Sequence, residues 1–447
     1  MPSAPAPYPA VPLDRDQLLH TFTTYGNPRS RWRVGGEFER ALVRPDGRPV
    51  GYAEPDGIRW VLDTLHQVQP GWTPEAEAGS DLPIALLRPD GSSITLEPGG
   101  QVELSGAPHL TCAELGAELD ENRQALLQMA EGRPLRWIAA GFTPFASVDD
   151  IEWMPKGRYR VMREYLPTRG DLGTWMMKGT CSVQCNYDFA DEQDAAEKVR
   201  LTAGVASLTT AMFANSPLVG GEPSGFLSFR GHIWTRTDPD RTGFPPGLRE
   251  DFSFERWVDY LLDVPMMFYK IDGRWIPAHG RSFRSWMAEG VDGRFPTLKD
   301  WDLHQTSVFP EVRIKRTIEV RGADAVSAEL AVAFCALFEG LLYDDRARDE
   351  ALQLVAELGR HGDRDSRFAE ACRAGLEGEI GGRRISAWAE ELCALGAAGL
   401  ARWRPVDRPL LDPLLAQVET GRSPGARLLD LCQGNASPAA LLDAMAY

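Results

Sequence analysis

Lysine is scarce in this chain: 6 of its 48 basic residues are lysine and 42 are arginine. No Gly-Lys dipeptide occurs, which removes the phosphate loop of P-loop nucleotidases, and no Gly-x-Gly occurs, which removes the dinucleotide fingerprint. Gly-x-Ser-x-Gly and His-Glu-x-x-His are also missing, so the common serine hydrolases and zincins lose support. Long apolar runs are absent; the longest lies between Glu329 and Glu339, too short to cross a bilayer. Positive charge is in deficit. The 64 acids against 48 bases leave −16, which opposes nucleic-acid or anionic-membrane partners. The start, MPSAPAPYPAVPLD, has neither a basic nor an apolar targeting segment, so residues 1–13 read as a flexible lead-in and the chain as cytoplasmic. The 7 cysteines are scattered, and Cys181 and Cys185 have no second pair at zinc-site spacing. They read as reduced thiols, mostly small core residues.

What is present suits a core-forming protein: 447 residues, 43% of them hydrophobic. Strand-like segments dominate the first two thirds, and the last quarter is helical. Helices are expected from Thr111 to about Glu131 with Glu114 completing a capping box, from Asp191 to Ala214, and from Ala325 to Tyr343. Ser423-Pro424 and Ser437-Pro438 read as an N-cap followed by proline at the first helical position. No linker divides the two parts. The expectation is one α+β domain over 1–447 with a helical C-terminal wrap from about 345 to 447.

Four segments alternate with period two, so each has one apolar and one polar face. Trp32 to Glu39 places Glu37 and Glu39 on one side. Ile94 to Ser105 folds at Pro98-Gly99-Gly100 and puts Gln101, Glu103 and Ser105 on one face, with Glu97 across the turn. Cys181 to Phe189 offers Ser182, Gln184, Asn186 and Asp188. Val312 to Arg321 offers Arg313, Lys315, Thr317, Glu319 and Arg321, with Arg316 breaking the apolar face. Carboxylate and amide oxygens without histidine or cysteine clusters suit Mg²⁺ or Mn²⁺, and cations on the same kind of face suit phosphate. A metal–phosphate site on an antiparallel sheet follows; the reaction does not.

At these same segments the chain resembles the plant and proteobacterial type of glutamate–cysteine ligase. The resemblance rests on Leu96 to Pro108, Met154-Pro155-Lys156-Gly157-Arg158-Tyr159, Cys181-Ser182-Val183-Gln184, Leu208 to Phe229, His232-Ile233-Trp234-Thr235, Asp238 to Gly243, Phe309 to Arg313, Glu319 to Asp324 and Gly340 to Asp344, in that order. It implies a glutamine-synthetase-like carboxylate–amine ligase fold: a curved, mainly antiparallel sheet forming a funnel for metals and ATP, covered by helices. It implies ATP-dependent joining of the L-glutamate γ-carboxylate to the L-cysteine amine by way of a γ-glutamyl phosphate, the first step of glutathione synthesis. The resemblance makes Glu37, Glu39, Glu97, Glu103, Gln184 and Glu319 the Mg²⁺ (or Mn²⁺) ligands. Arg321 would meet the transferring phosphoryl group, with Glu319 and Lys315 also catalytic. Lys156, Arg158, Arg241, Arg313 and Lys315, with His232, would serve ATP or the glutamate α-carboxylate. Trp234, Trp257 and Trp301 read as core. The partners expected are glutamate, cysteine and ATP, for a monomer or homodimer.

The chain also departs from the plant pattern. Ala278 and Val332 stand where plant members carry regulatory cysteines and only Cys112 matches, so the plant redox switch is expected to be absent. Gly179, next to Lys178, stands where plant members carry arginine. That substitution keeps open a γ-glutamyl ligase acting on another amine. A metal-dependent hydrolase would need no ATP, and a non-catalytic relative would have lost the acids.

Overall fold

The computed structural model describes residues 12–249 and 251–447, so residues 1–11 of the expected lead-in lie outside the described residues. A nine-stranded sheet organises the fold. Its strands are β1 (Val34–Val43), β2 (Thr73–Ala76), β3 (Pro83–Leu87), β4 (Ser93–Leu96), β5 (Val102–Ser105), β6 (Arg136–Ile138) and β7 (Ser182–Tyr187). After a separate hairpin, β8 (Phe268–Ile271) with β9 (Arg274–Pro277), the sheet is completed by β10 (Val312–Ile314) and β11 (Ile318–Asp324). The order is β10-β11-β7-β1-β5-β4-β3-β2, with β6 beside the far end of β1. All of these pairs are antiparallel.

The segment expected as one strand from Val312 to Arg321 is a hairpin. The amide of Lys315 bonds the carbonyl of Thr317, and Arg313 faces Glu319. The register pairs odd residues with odd and even with even, so the alternation survives the turn. Val312, Ile314, Ile318 and Val320 stay buried on one face, while exposed Arg316 marks the turn itself. Further along, the pairing of β11 with β7 slips between Val320 and Ala323, one extra residue that turns Arg321 toward Gln184.

The helices that matter for the site are α1 (Arg15–Thr24), α2 (Cys112–Ala130), α3 (Gly157–Tyr165), α4 (Gly173–Gly179), α5 (Glu192–Gly204), α6 (Ala206–Met212), α7 (Phe229–Trp234) and α8 (Ala328–Tyr343). The capping box at Thr111 and Glu114 forms as expected, and Asp14 with Gln17 forms another. The helix expected from Asp191 to Ala214 is two, because Val205 leaves helical geometry at φ −95°, ψ 7°; the preceding Gly204 lies where a Cβ would come within 2.4 Å of Val355. Ser327 caps α8, which is buried on every side from Leu330 to Tyr343 and packs under the sheet face opposite the acids. Tyr187 on β7 donates its hydroxyl to the carbonyl of Cys335 on α8 at 2.7 Å.

A disulfide on the same face corrects the reading of all cysteines as reduced. Cys185 and Cys335 are disulfide-bonded with Cα atoms 5.8 Å apart; Cys112, Cys181, Cys372, Cys393 and Cys432 are free. Alternation puts Cys185 on the core face, but its partner lies 150 residues on, beyond any local signal. From Asp345 to Ala444 the regular elements are helices apart from two short strands, and Ser423 and Ser437 cap two of those helices as expected. No helix among the described residues is long and apolar enough to cross a membrane.

Candidate active site

Strand β1 carries Glu37 and Glu39 on the face opposite Phe38. Glu103 on β5 lies directly across from Glu39, and Gln184 on β7 across from Glu37. These four, with Glu97, line one cavity of about 220 Å³. The turn that presents Glu97 needs its glycines. A Cβ on Gly99 would sit 2.1 Å from the carbonyl oxygen of Lys178, and Gly100 has φ +92°. Gln101 braces that turn, accepting from the amide of Gly99 and donating to the carbonyl of Thr180, each at 2.9 Å.

The acids sit in a dry, crowded place. Glu39 is 8% and Glu103 9% exposed. Burial, then repulsion from Glu319 and Glu103, pushes Glu37 up to about 7. Burial, then Glu97 and Glu103, pushes Glu39 up to about 8, although Ser182 donates its amide to Glu39 at 2.6 Å. Glu103 is raised by burial and by Glu97. Crowded acids of this kind present several hard oxygens to one cavity, which suits Mg²⁺ or Mn²⁺. They do not form a closed shell. Among the described residues the one group of three ligand atoms within 4.8 Å of each other is Cys112, Glu339 and Asp407. There Asp407 accepts from the amides of Cys112 and Ala113 at 2.9 and 3.0 Å, and Glu339 accepts from Arg404 at 2.7 Å, so α2 and an arginine already use those oxygens. An open rim of carboxylates fits an ion that keeps several waters, as Mg²⁺ does.

Glu319, expected as a metal ligand, sits behind the cavity wall with no exposure. It accepts from Arg313 at 2.7 and 2.9 Å and from Arg321, and Lys315 lies 3.2 Å away. Burial alone would raise its carboxyl; Arg313, Lys315 and Arg321 hold it well below the usual carboxylate range. Its role in this structure is to clamp Arg313 and Arg321, whose side chains do line the cavity, while Lys315 does not. The carbonyl oxygen of Gln184 is taken by Arg321, and its amide donates to Ser182 Oγ at 3.1 Å.

Other expectations need correction. Arg241 is fully buried and braces loops, donating to Asp238 at 2.6 Å, to the carbonyl of Ser307 at 3.1 Å and to the Tyr165 hydroxyl at 3.0 Å. It does not line the cavity. His232 stacks on Phe226 at 4.0 Å, and burial lowers its pKa. Lys156 donates to the carbonyl of Leu96 at 2.7 Å and lines a neighbouring cavity, whereas Arg158 lines the acid cavity. Trp257, Trp301 and Trp234 are all buried in the core, and Trp234 also lines the cavity.

Arg230, which the sequence reading passed over, also lines it. Both belong to α7 at a spacing of four, so they share a face that His232 does not. That spacing was the available signal. Arg230 Nε, Trp234 Nε1 and Arg158 Nε are buried without a partner, three orphan donors on residues of one cavity wall. Met162, Met176, Met177, Met267 and Phe268 supply an apolar wall. A groove of about 370 Å³ lined by Arg31, Arg33, Asn186 and Asp188 shares Glu37 with the acid cavity.

Comparison with known proteins shows the family and the fold. The family model described as glutamate–cysteine ligase family 2 matches residues 33–441. The chloroplastic glutamate–cysteine ligase B of Oryza sativa subsp. japonica is 38% identical over 432 residues, 94% of this chain and 84% of that one. The chloroplastic glutamate–cysteine ligase of Brassica juncea is 37% identical over 442 residues, 97% of this chain and 84% of that one. Among solved structures, glutamate–cysteine ligase from Francisella tularensis in complex with AMP aligns at TM-score 0.57 and 14% identity, covering 93% of this chain and 87% of that one. These curated relatives are named chloroplastic, which overturns the cytoplasmic expectation.

Proposed function

The chain belongs to glutamate–cysteine ligase family 2, and from that membership we propose that its acid-lined cavity joins the γ-carboxylate of L-glutamate to the amine of L-cysteine at the expense of ATP. A carboxylate is a poor acyl donor. Its oxygen attacks the γ-phosphorus of ATP and ADP leaves; the amine then displaces phosphate from the acyl carbon, releasing a proton and forming the amide. Arg313 and Arg321, clamped by Glu319, present guanidinium donors to the phosphoryl oxygens. The orphan N–H groups of Arg158, Arg230 and Trp234 receive the amino-acid carboxylates. The methionine and phenylalanine wall takes the acceptor side chain and keeps water from the acyl phosphate. Glu37, Glu39, Glu97 and Glu103 would hold Mg²⁺ or Mn²⁺, which when bound neutralises charge on phosphate oxygens.

One observation carries this reading: Glu37 is common to the acid cavity and to the groove beside it. The nucleoside lies in that groove, with its Arg31 and Arg33, and the amino acids lie in the cavity. An ADP-release assay with glutamate and a panel of amines tests the reaction. Stimulation by cysteine above all other amines is expected, with no product when nucleotide is omitted. No stimulation by cysteine would overturn the proposal.

A further inference from the structure

Next to the acid cavity lies a second one of about 670 Å³, and the two share Tyr159. It opens where the first turn of α3 meets the β8–β9 hairpin. Lys156, Arg160, Arg163 and Arg274 line it, together with the indoles of Trp153 and Trp275. In a chain of net charge −16 this is a local reversal of sign. Arg160, Arg163 and Arg274 have no carboxylate partner among the described residues. Lys156 is crowded as well; burial first and Arg158 second draw its pKa down to about 8.

One acid enters this cavity, Glu77, and the arginines do not hold it. Both of its oxygens accept from the amide of Gly157 at 2.9 Å, and Oε1 also accepts from the Trp275 indole at 3.2 Å. A Cβ on residue 157 would lie 2.6 Å from Trp275 and 2.7 Å from the Glu77 carboxylate, so glycine is what admits this contact. The cavity thus seats one carboxylate on neutral N–H donors and leaves its guanidinium groups unengaged. Arginine forks match carboxylates, flat indoles cover the methylenes between them, and a cleft with one sign of charge gathers the opposite ion.

We propose that this second cavity binds a small dicarboxylate, as a vestibule that collects the anionic amino acid beside the ligase centre. The identity of the anion rests on the proposed function; its charge and size rest on the cavity. Free glutamate and the γ-glutamyl product share the required chemistry.

The test is a glutarate titration of the full chain without nucleotide, followed by tryptophan fluorescence. A saturable quench that disappears in Trp275→Phe is expected. Arg274→Ala, at an exposed position, should weaken binding about three- to fivefold. Glu77→Gln keeps an acceptor for Gly157 but removes the competing charge, and should tighten binding by a similar factor. A merely structural role would weaken binding in both variants. The proposal is overturned by no saturable quench, by a quench that survives Trp275→Phe, or by the Arg274 and Glu77 variants failing to move in opposite directions. Repeating the titration with L-glutamate and with γ-glutamylcysteine assigns the occupant as the tighter binder. The ADP-release assay is read separately: its failure with glutarate binding intact removes the ligase reading and leaves the site.

Discussion

Replacing Arg321 by alanine separates catalysis from folding, because the structure sets different magnitudes for the two. Arg321 bonds Glu319 and Gln184 from a position that is 8% exposed on the cavity wall. Without it, Glu319 keeps Arg313 at 2.7 and 2.9 Å and Lys315 at 3.2 Å, so the buried carboxylate remains paired. The fold then loses about 1.5–3 kcal/mol, the scale of a hydrogen bond to a charged group. A guanidinium that meets phosphoryl charge only in the transition state is worth about 10³–10⁵ in rate, or about 4–7 kcal/mol. ADP release at saturating ATP and amino acids should therefore fall at least a thousandfold, while the urea midpoint moves little. A loss under tenfold, or a loss matched by unfolding, would refute the assignment.

Glu319→Gln removes the anion that three cations share and should cost about 3–5 kcal/mol at pH 7 in urea unfolding. The wild-type carboxyl is depressed below 4.5, so its contribution is full above that pH and fades below it; the gap between the two proteins should narrow on acidification, and a constant gap would contradict the clamp. Glu339 is pushed up to about 7, by burial first and then by Asp407, against an ordinary 4.5. Its contribution is full below pH 4.5 and falls by about 3 kcal/mol as pH rises through 7, so Glu339→Gln should gain on wild type by that amount between pH 5 and pH 8. Val312→Asp places a charge at a position 1% exposed and should leave little soluble protein, checked by expression and circular dichroism. Gly179→Arg, the plant residue, should destabilise the chain rather than tighten cysteine binding, because a Cβ there would lie 2.3 Å from the Phe142 ring; an unchanged melting temperature would contradict this.

Period-two alternation made the acid face legible. Glu37 with Glu39, Gln101 with Glu103, and Ser182 with Gln184 each keep one parity, and a strand has no freedom to do otherwise. Parity also carried through the unforeseen turn at Lys315 to Thr317, so the faces of Val312 and Arg313 held although the single strand did not. Residue type alone did not reveal direction. Arg241 and His232 belong to matching motifs, yet one braces loops and the other stacks on Phe226. Arg230 went unseen, and Trp234 was read only as core, because the face they share is helical and a search at strand spacing cannot find a pair four apart. The bond between Cys185 and Cys335 depends on how α8 docks, which no local pattern encodes.

The carboxylate of Glu37 stands in a party wall with an entrance on either side. Reactants that arrive through separate doors need not queue. With the nucleoside in the groove and the amino acids in the cavity, as proposed, neither would bar the other's way, and initial-rate patterns should intersect as they do for random binding.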